Sequence, residues 1–327
     1  MEKFIHELFN DEIARKCSEK YNHDVNSLQA LGGFESFIYE YSYHEKKYIL
    51  RITHNSHRSE QLIEAELHFI YYLYENGSNV ARPVFSKENK LTEKIEIDEE
   101  SHFIVTSFEK AEGSHLRFDQ LSSELIEKWG MTIGHFHKLA KEYIPGKYKR
   151  FEWVNDGLYL NIAQFIPEEQ TIVIEKTNNQ IKKINGFKKD KSGYGLIHTD
   201  IHSGNFFVHN SEMTVFDFDD CAYNYFASDI AIALFSTVFN KKIEDKNEFA
   251  TMYFHHFMNG YHKQNQLDQQ WIIKIPDFIK LREMVLYAAI YRSLDTNNLP
   301  PWPALFMEGR RNSIENELNI LDLSIFK

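Results

Sequence analysis

The chain has 327 residues, 43% of them hydrophobic and 26% charged, which is ordinary globular composition rather than disorder. A formal charge of −11 argues against a general affinity for nucleic acid or an anionic membrane, both of which need basic faces, so neither partner is expected; that charge suits a cationic small molecule. Cys17 and Cys221 lack metal-ligand spacing, and the opening Met-Glu-Lys-Phe-Ile-His-Glu-Leu has no apolar signal-like run, so a reduced, cytoplasmic location is expected.

In chain order, residues 3–20 have the pattern of a short amphipathic helix. Strands are predicted over 27–31, 36–43 and 47–53, the first pair separated by Gly32-Gly33 and the second by the polar turn His44-Glu45-Lys46. From 58 to 75 the apolar residues fall at spacings of three and four, which predicts a helix ending at Gly77. Short strands follow over 83–85, 91–97 and 102–106. Beyond Gly113 the pattern becomes helical, with long helices over 122–142 and 168–184. Strands at 195–198, 206–208 and 214–216 interrupt it. From Ser228 onward only helices are expected, one with Pro276 in its first turn. The stretch 230–239 is apolar but too short to span a bilayer. This order predicts an α+β protein of two parts: 1–107, β-rich with one long helix, and 108–327, mainly helical, joined by a hinge at about 107–113.

The chemistry concentrates in His198-Thr199-Asp200-Ile201-His202-Ser203-Gly204-Asn205, followed by Asp217-Phe218-Asp219. Phosphoryl transfer requires mainly positioning and charge neutralisation. One carboxylate must orient the acceptor hydroxyl and take its proton. A second carboxylate and an amide oxygen must hold magnesium, which prefers hard oxygen ligands. A loop carrying Asp200 and Asn205, and a strand end carrying Asp217, supply those three groups, at the Asp-to-Asn spacing of a kinase catalytic loop.

These residues resemble the His-Gly-Asp-x-His-x-x-Asn loop of the aminoglycoside phosphotransferase and choline kinase-like family, relatives of the protein kinases. His198, Asp200, His202, Gly204 and Asn205 match; Thr199 stands where the family usually has Gly, and Ser203 where it often has Pro. The resemblance implies a protein-kinase-like two-lobed fold, ATP and Mg2+ as cofactors, Asp200 as catalytic base, and Asn205 and Asp217 as metal ligands. It covers nearly the whole chain, from Gly32 to about Glu317. Gly32-Gly33-Phe34-Glu35-Ser36 is similar to the family's phosphate-covering hairpin, which makes Gly33 and Ser36 nucleotide-binding candidates. Arg51, ending Tyr48-Ile49-Leu50, stands at the position of the family's phosphate-contacting cation. Glu66 is its expected partner ahead of Glu64 and Glu60, because Glu66 shares a helix face with Leu62, Phe69, Ile70 and Leu73. Ser107 and Glu109 fall where the family's hinge meets adenine through backbone groups. His135 and His137 are expected to pack, His198 and His202 to brace the catalytic loop, and Asp229 to serve as a helix cap or loop brace.

The resemblance implies transfer of a γ-phosphate to a small-molecule hydroxyl, with aminoglycosides, choline-like alcohols and homoserine as acceptor classes. Aromatics (Trp153, Tyr159, Tyr253, Tyr261, Tyr291, Trp302) and acids (Asp156, Asp295, Glu308) in the helical half are consistent with an amine-bearing alcohol, although most of these aromatics are expected in the core. The alternatives are a bacterial stress-response protein kinase and a non-catalytic structural relative. The second conflicts with the intact Asp200, Asn205 and Asp217.

Overall fold

The computed structural model describes residues 3–33, 35–239 and 243–327; Phe34, part of the glycine-containing hairpin, lies outside the described residues. The chain divides into two compact units. The first takes in Met1–Gly113, Tyr143–Arg150 and Thr214–Asp219; the second takes in the remainder.

The first unit opens with α1 (Lys3–Leu8) and α2 (Asp11–Ser18), where the sequence pattern predicts a single helix. Asn10 makes the break. Its backbone is extended at φ −148°, and its side chain accepts from Ile13 N at 3.0 Å, as an N-cap asparagine does. There follow β1 (Gln29–Gly32), β2 (Phe37–Tyr43), β3 (Lys46–His54), α3 (Glu60–Glu75), β4 (Pro83–Val84), β5 (Glu93–Glu96) and β6 (His102–Glu109). The strands pair antiparallel in the order β1-β2-β3-β6-β4, with β5 also on β6. The β2–β3 register sets Phe37 opposite Ile52 and Tyr41 opposite Tyr48. Alternation then buries Tyr41, Leu50, Ile52, Phe103 and Val105 against Ile5, Ile13, Cys17 and Tyr21. Strand β6 runs on to Glu109, three residues beyond the 106 that its pattern suggests, because Ser107 pairs with Leu50 on one side and Val84 on the other.

The second unit contains β7 (Ser114–His115), α4 (Ser123–Ala140), α5 (Gly157–Leu160), α6 (Ile162–Phe165), α7 (Thr171–Asn185), β8 (Tyr194–Ile197), β9 (Phe206–His209), β10 (Glu212–Val215), which enters the first unit's segment, and β11 (Ala222–Tyr225). Six helices complete it: α8 (Phe226–Val238), α9 (Lys246–His262), α10 (Gln269–Ile272), α11 (Ile275–Ser293), α12 (Pro301–Met307) and α13 (Arg310–Glu315). Strands β7 and β11 and helices α5 and α6 are absent from the sequence expectation; each is at most four residues long, too short for any period to develop. Strand β11 pairs antiparallel with β8, Ala222 opposite Ile197 and Tyr225 opposite Tyr194, so α8 begins beside the start of β8, with Phe226 N donating to Gly193 O at 2.9 Å. Helix α8 is buried on nearly every side, from Phe226 through Phe235. Both cysteines are buried thiols. Among the described residues no helix is long and apolar enough to cross a membrane.

Candidate functional site

In the second unit the loop between β8 and β9 carries His198 to Asn205, and its shape is set by hydrogen bonds from every side. Asp229, in the first turn of α8 and 1% exposed, accepts from His198 N at 3.2 Å and Thr199 N at 2.8 Å. It is thus a loop brace; the N-cap of α8 is Tyr225. On its far side Asp229 meets His137 Nε2 at 3.2 Å, and His137 Nδ1 meets the Tyr261 hydroxyl at 2.9 Å. Burial holds the His137 imidazole below its usual pKa even though the neighbouring Asp229 carboxylate pulls it up. A neutral ring donating to Asp229 and accepting from Tyr261 satisfies all three groups.

Thr199 adopts φ 68°, the left-handed region that explains why glycine is usual there. Two bonds hold the threonine in place: its N–H on Asp229, and its hydroxyl donating to Asp220 O at 2.6 Å. His198 Nδ1 accepts from Asp200 N at 3.3 Å, and His202 Nδ1 accepts from Gly204 N at 2.9 Å. Both histidines therefore brace the loop.

The Asp200 carboxylate keeps 25% exposure while being held at both oxygens. Arg282 Nη2 of α11 donates to Oδ1 at 2.5 Å; Asn205 Nδ2 and His202 Nε2 each lie 3.3 Å from Oδ2. Burial favours the neutral acid, but the Arg282 charge and then the His202 contact outweigh it and hold the group well below the usual carboxylate range. Asn205 Nδ2 also donates to Asp200 O at 2.9 Å. A carboxylate and a carbonyl accept only from the NH2 end of an amide, so Asn205 Oδ1 is turned away and remains available as a hard oxygen ligand.

In the first unit Arg51 and Glu66 form a bidentate pair, with Nη1–Oε1 and Nη2–Oε2 both at 2.8 Å. Glu66 is fully buried and Arg51 is 5% exposed; of the three glutamates weighed, this one faces the sheet. Glu60 instead approaches Thr92 and Lys94. Burial alone would weaken the Arg51 charge, yet Glu66, then Asp219 and Asp217, more than offset it and raise its pKa. Arg51 Nε is buried without a hydrogen-bond partner among the described residues, a donor that a phosphate oxygen would satisfy. Asp217 has φ 65°. Asp219 is 14% exposed and accepts from His57 Nε2 at 2.8 Å, with Arg58 at 3.5 Å. Arg150 binds its carbonyl at 2.5 Å and Leu62 O at 2.8 Å, tying this turn to α3.

Of the remaining nucleotide-binding candidates, Gly33 has φ +136°, and a Cβ there would lie 1.9 Å from Ser36 O, so only glycine fits. The Ser36 hydroxyl is buried against Thr53 at 2.8 Å. The Ser107 hydroxyl is likewise occupied, by Tyr41 at 2.7 Å, and the Glu109 side chain pairs with Arg82. Neither Ser107 nor Glu109 presents an unpartnered side-chain group. Trp153, Tyr253 and Tyr261 are core residues. The residue that sequence reasoning missed is Arg282. Its only signal was a charge lodged within the buried run Ile279, Leu281, Met284 and Val285.

Among the described residues no cluster of three His, Cys, Asp or Glu could hold a metal by itself. The outward-turned Asn205 Oδ1 is a hard oxygen of the kind magnesium takes together with phosphate and water rather than in a protein cage.

A model of the phosphotransferase enzyme family matches residues 28–267. Amicoumacin kinase of Bacillus subtilis (strain 168) is 30% identical over 319 residues, spanning 96% of this chain and 95% of its own. The solved amicoumacin kinase hAmiN, in complex with AMP-PNP, Ca2+ and Ami, superposes with a TM-score of 0.94 at 32% identity over 100% of both chains. A microcompartment-associated aminopropanol kinase superposes at 0.77 with 20% identity over 94% of this chain and 98% of its own, a likeness of fold alone. The chain belongs to the phosphotransferase enzyme family and is a phosphotransferase with the α+β fold of its kinase relatives.

Proposed function

We propose that this phosphotransferase moves the γ-phosphoryl group of ATP, with magnesium, to a hydroxyl of a small molecule, and that amicoumacin is the first acceptor to supply. The observation that carries this reading is the Asp200 carboxylate, held by Arg282, Asn205 and His202 yet still partly exposed, in a chain that matches amicoumacin kinase along its whole length. Asp200 orients the acceptor hydroxyl and takes its proton as the new O–Pγ bond forms and the bond from Pγ to the β-phosphate oxygen breaks, with ADP leaving. Its low pKa suits a loose transition state, in which the hydroxyl becomes acidic only late and the carboxylate serves first to align it. Asn205 Oδ1 and the Asp217 carboxylate are the candidate ligands that would hold magnesium, and the metal would supply charge that offsets the triphosphate. Arg51, fixed by Glu66, has an unpartnered Nε that would meet phosphate, and the Gly33 backbone, which admits no side chain, would approach phosphate oxygens closely.

The test is an ATP-consumption screen over amicoumacin, an aminoglycoside, homoserine, choline and a protein substrate, with Asp200→Asn as control. Wild type should turn over a small molecule, and the variant should lose about 10²- to 10⁴-fold in kcat. Magnesium-ATP should still raise the variant's Tm, and EDTA should remove that rise. Phosphate appearing only in the protein substrate, or full activity of Asp200→Asn, would overturn the proposal.

A further inference from the structure

The active loop takes a charge from a helix far along the chain. Arg282 is 82 residues from Asp200, and its guanidinium reaches the carboxylate at 2.5 Å with only 16% of its side chain exposed. The helix beneath it cannot easily rotate. The next residue, Glu283, is 1% exposed and is held on a different side by Arg310 Nη1 at 2.7 Å and Ser313 Oγ at 2.8 Å. Neighbouring residues on a helix point about 100° apart. Two charge pairs, at 282 and 283, therefore fix both the position and the rotation of α11 at this point.

A carboxylate offers about four acceptor positions. Three are taken at Asp200: Arg282 on Oδ1, and Asn205 and His202 on Oδ2. The remaining position is on Oδ1, beside the guanidinium. We propose that Arg282 is a positioning residue for phosphoryl transfer: it fixes the Asp200 carboxylate so that one Oδ1 lone pair is left, aimed at the acceptor hydroxyl. Its Nε is buried with no hydrogen-bond partner among the described residues, so the guanidinium retains a donor for an oxygen of the acceptor or of the transferred phosphoryl group. Tyr159 stands in the same group: burial raises its hydroxyl pKa, the Arg282 charge opposes that rise, and Asp156, Asp220 and Asp200 add to it. A guanidinium is suited to this task because its planar fork keeps its direction, which an ammonium does not.

This inference rests on Asp200 being the base. It is tested with Arg282→Met, Arg282→Lys and Arg282→Ala on the acceptor that wild type phosphorylates, with Asp200→Asn alongside. A misaligned catalytic group costs on the order of 10²-fold, so Arg282→Met should lose about that much in kcat, and Arg282→Lys about tenfold. The KM for magnesium-ATP should stay within about twofold in both. Millimolar guanidinium ion should restore at least about tenfold of the kcat lost in Arg282→Ala, which a merely structural role does not predict; Arg282→Lys carries the comparison if the larger truncation unfolds. Unchanged kcat in Arg282→Met, a change confined to KM, or failure of guanidinium rescue in a folded Arg282→Ala would each overturn it. Were Asp200→Asn itself active, the reading of the base would fall and this inference with it.

Discussion

Thr199 holds a β-branched residue in left-handed backbone, a conformation that costs on the order of 1–3 kcal/mol. It persists because its amide and hydroxyl are both bound, to Asp229 and Asp220. This separates two substitutions. Thr199→Gly relieves the strain while losing one side-chain bond; Thr199→Ala loses the bond and keeps the strain. Chemical denaturation should therefore find the glycine variant more stable than the alanine variant by about 1 kcal/mol. Equal stabilities would show that the backbone at 199 is not strained. At this scale much of the site was legible. Asp200, Asn205 and Asp217 were named from residue type and spacing, because each has a chemical requirement that few residues meet, and Arg51 with Glu66, which the bidentate pair bears out, from the resemblance to the family's motif. Arg282 was not, since an arginine on a helix carries no mark of which distant carboxylate it will meet.

At the scale of elements, α4 and α9 pack closely through glycines. A Cβ at Gly260 would lie 1.8 Å from Glu127 O, and one at Gly130 would lie 1.9 Å from Phe257 O, backbone atoms that cannot swing away. Such contact lets the helices bring His137 and Tyr261 together, and so places the proton partner of Asp229. Gly260→Ala should cost on the order of 3 kcal/mol, at the upper end of overpacking, and lower Tm by several degrees. A Tm within about one degree of wild type would mean that the interface yields. The long helices α3 and α4 were readable from apolar period, and α11 from Pro276 in its first turn. Those whose existence depends on a neighbour were not: β11 exists because β8 offers it an edge, and Ser107 stays in β6 because β3 and β4 flank it.

For the whole molecule, stability should carry the signature of the buried His137. Its folded pKa lies below the 6.5 of a free imidazole, so the unfolded chain takes up a proton that the native protein refuses. The contribution is fully present above that value and is lost as pH falls from about 6.5 toward the depressed native pKa. Unfolding free energy measured at pH 7.5 and 5.5 should fall on acidification, and His137→Gln should flatten the slope. A slope unchanged by the substitution would mean that His137 is not the group responsible. Taken by itself, the sequence determined the α+β class and the succession of long elements, and it pointed to the candidate reacting groups, because local periodicity and chemical type are written residue by residue. Tertiary structure alone decided which charges meet: Arg282 with Asp200, Glu283 with Arg310, Asp219 with His57. The physical reason is that an ion pair depends on the distance between two chain segments, and nothing local to either one encodes that distance.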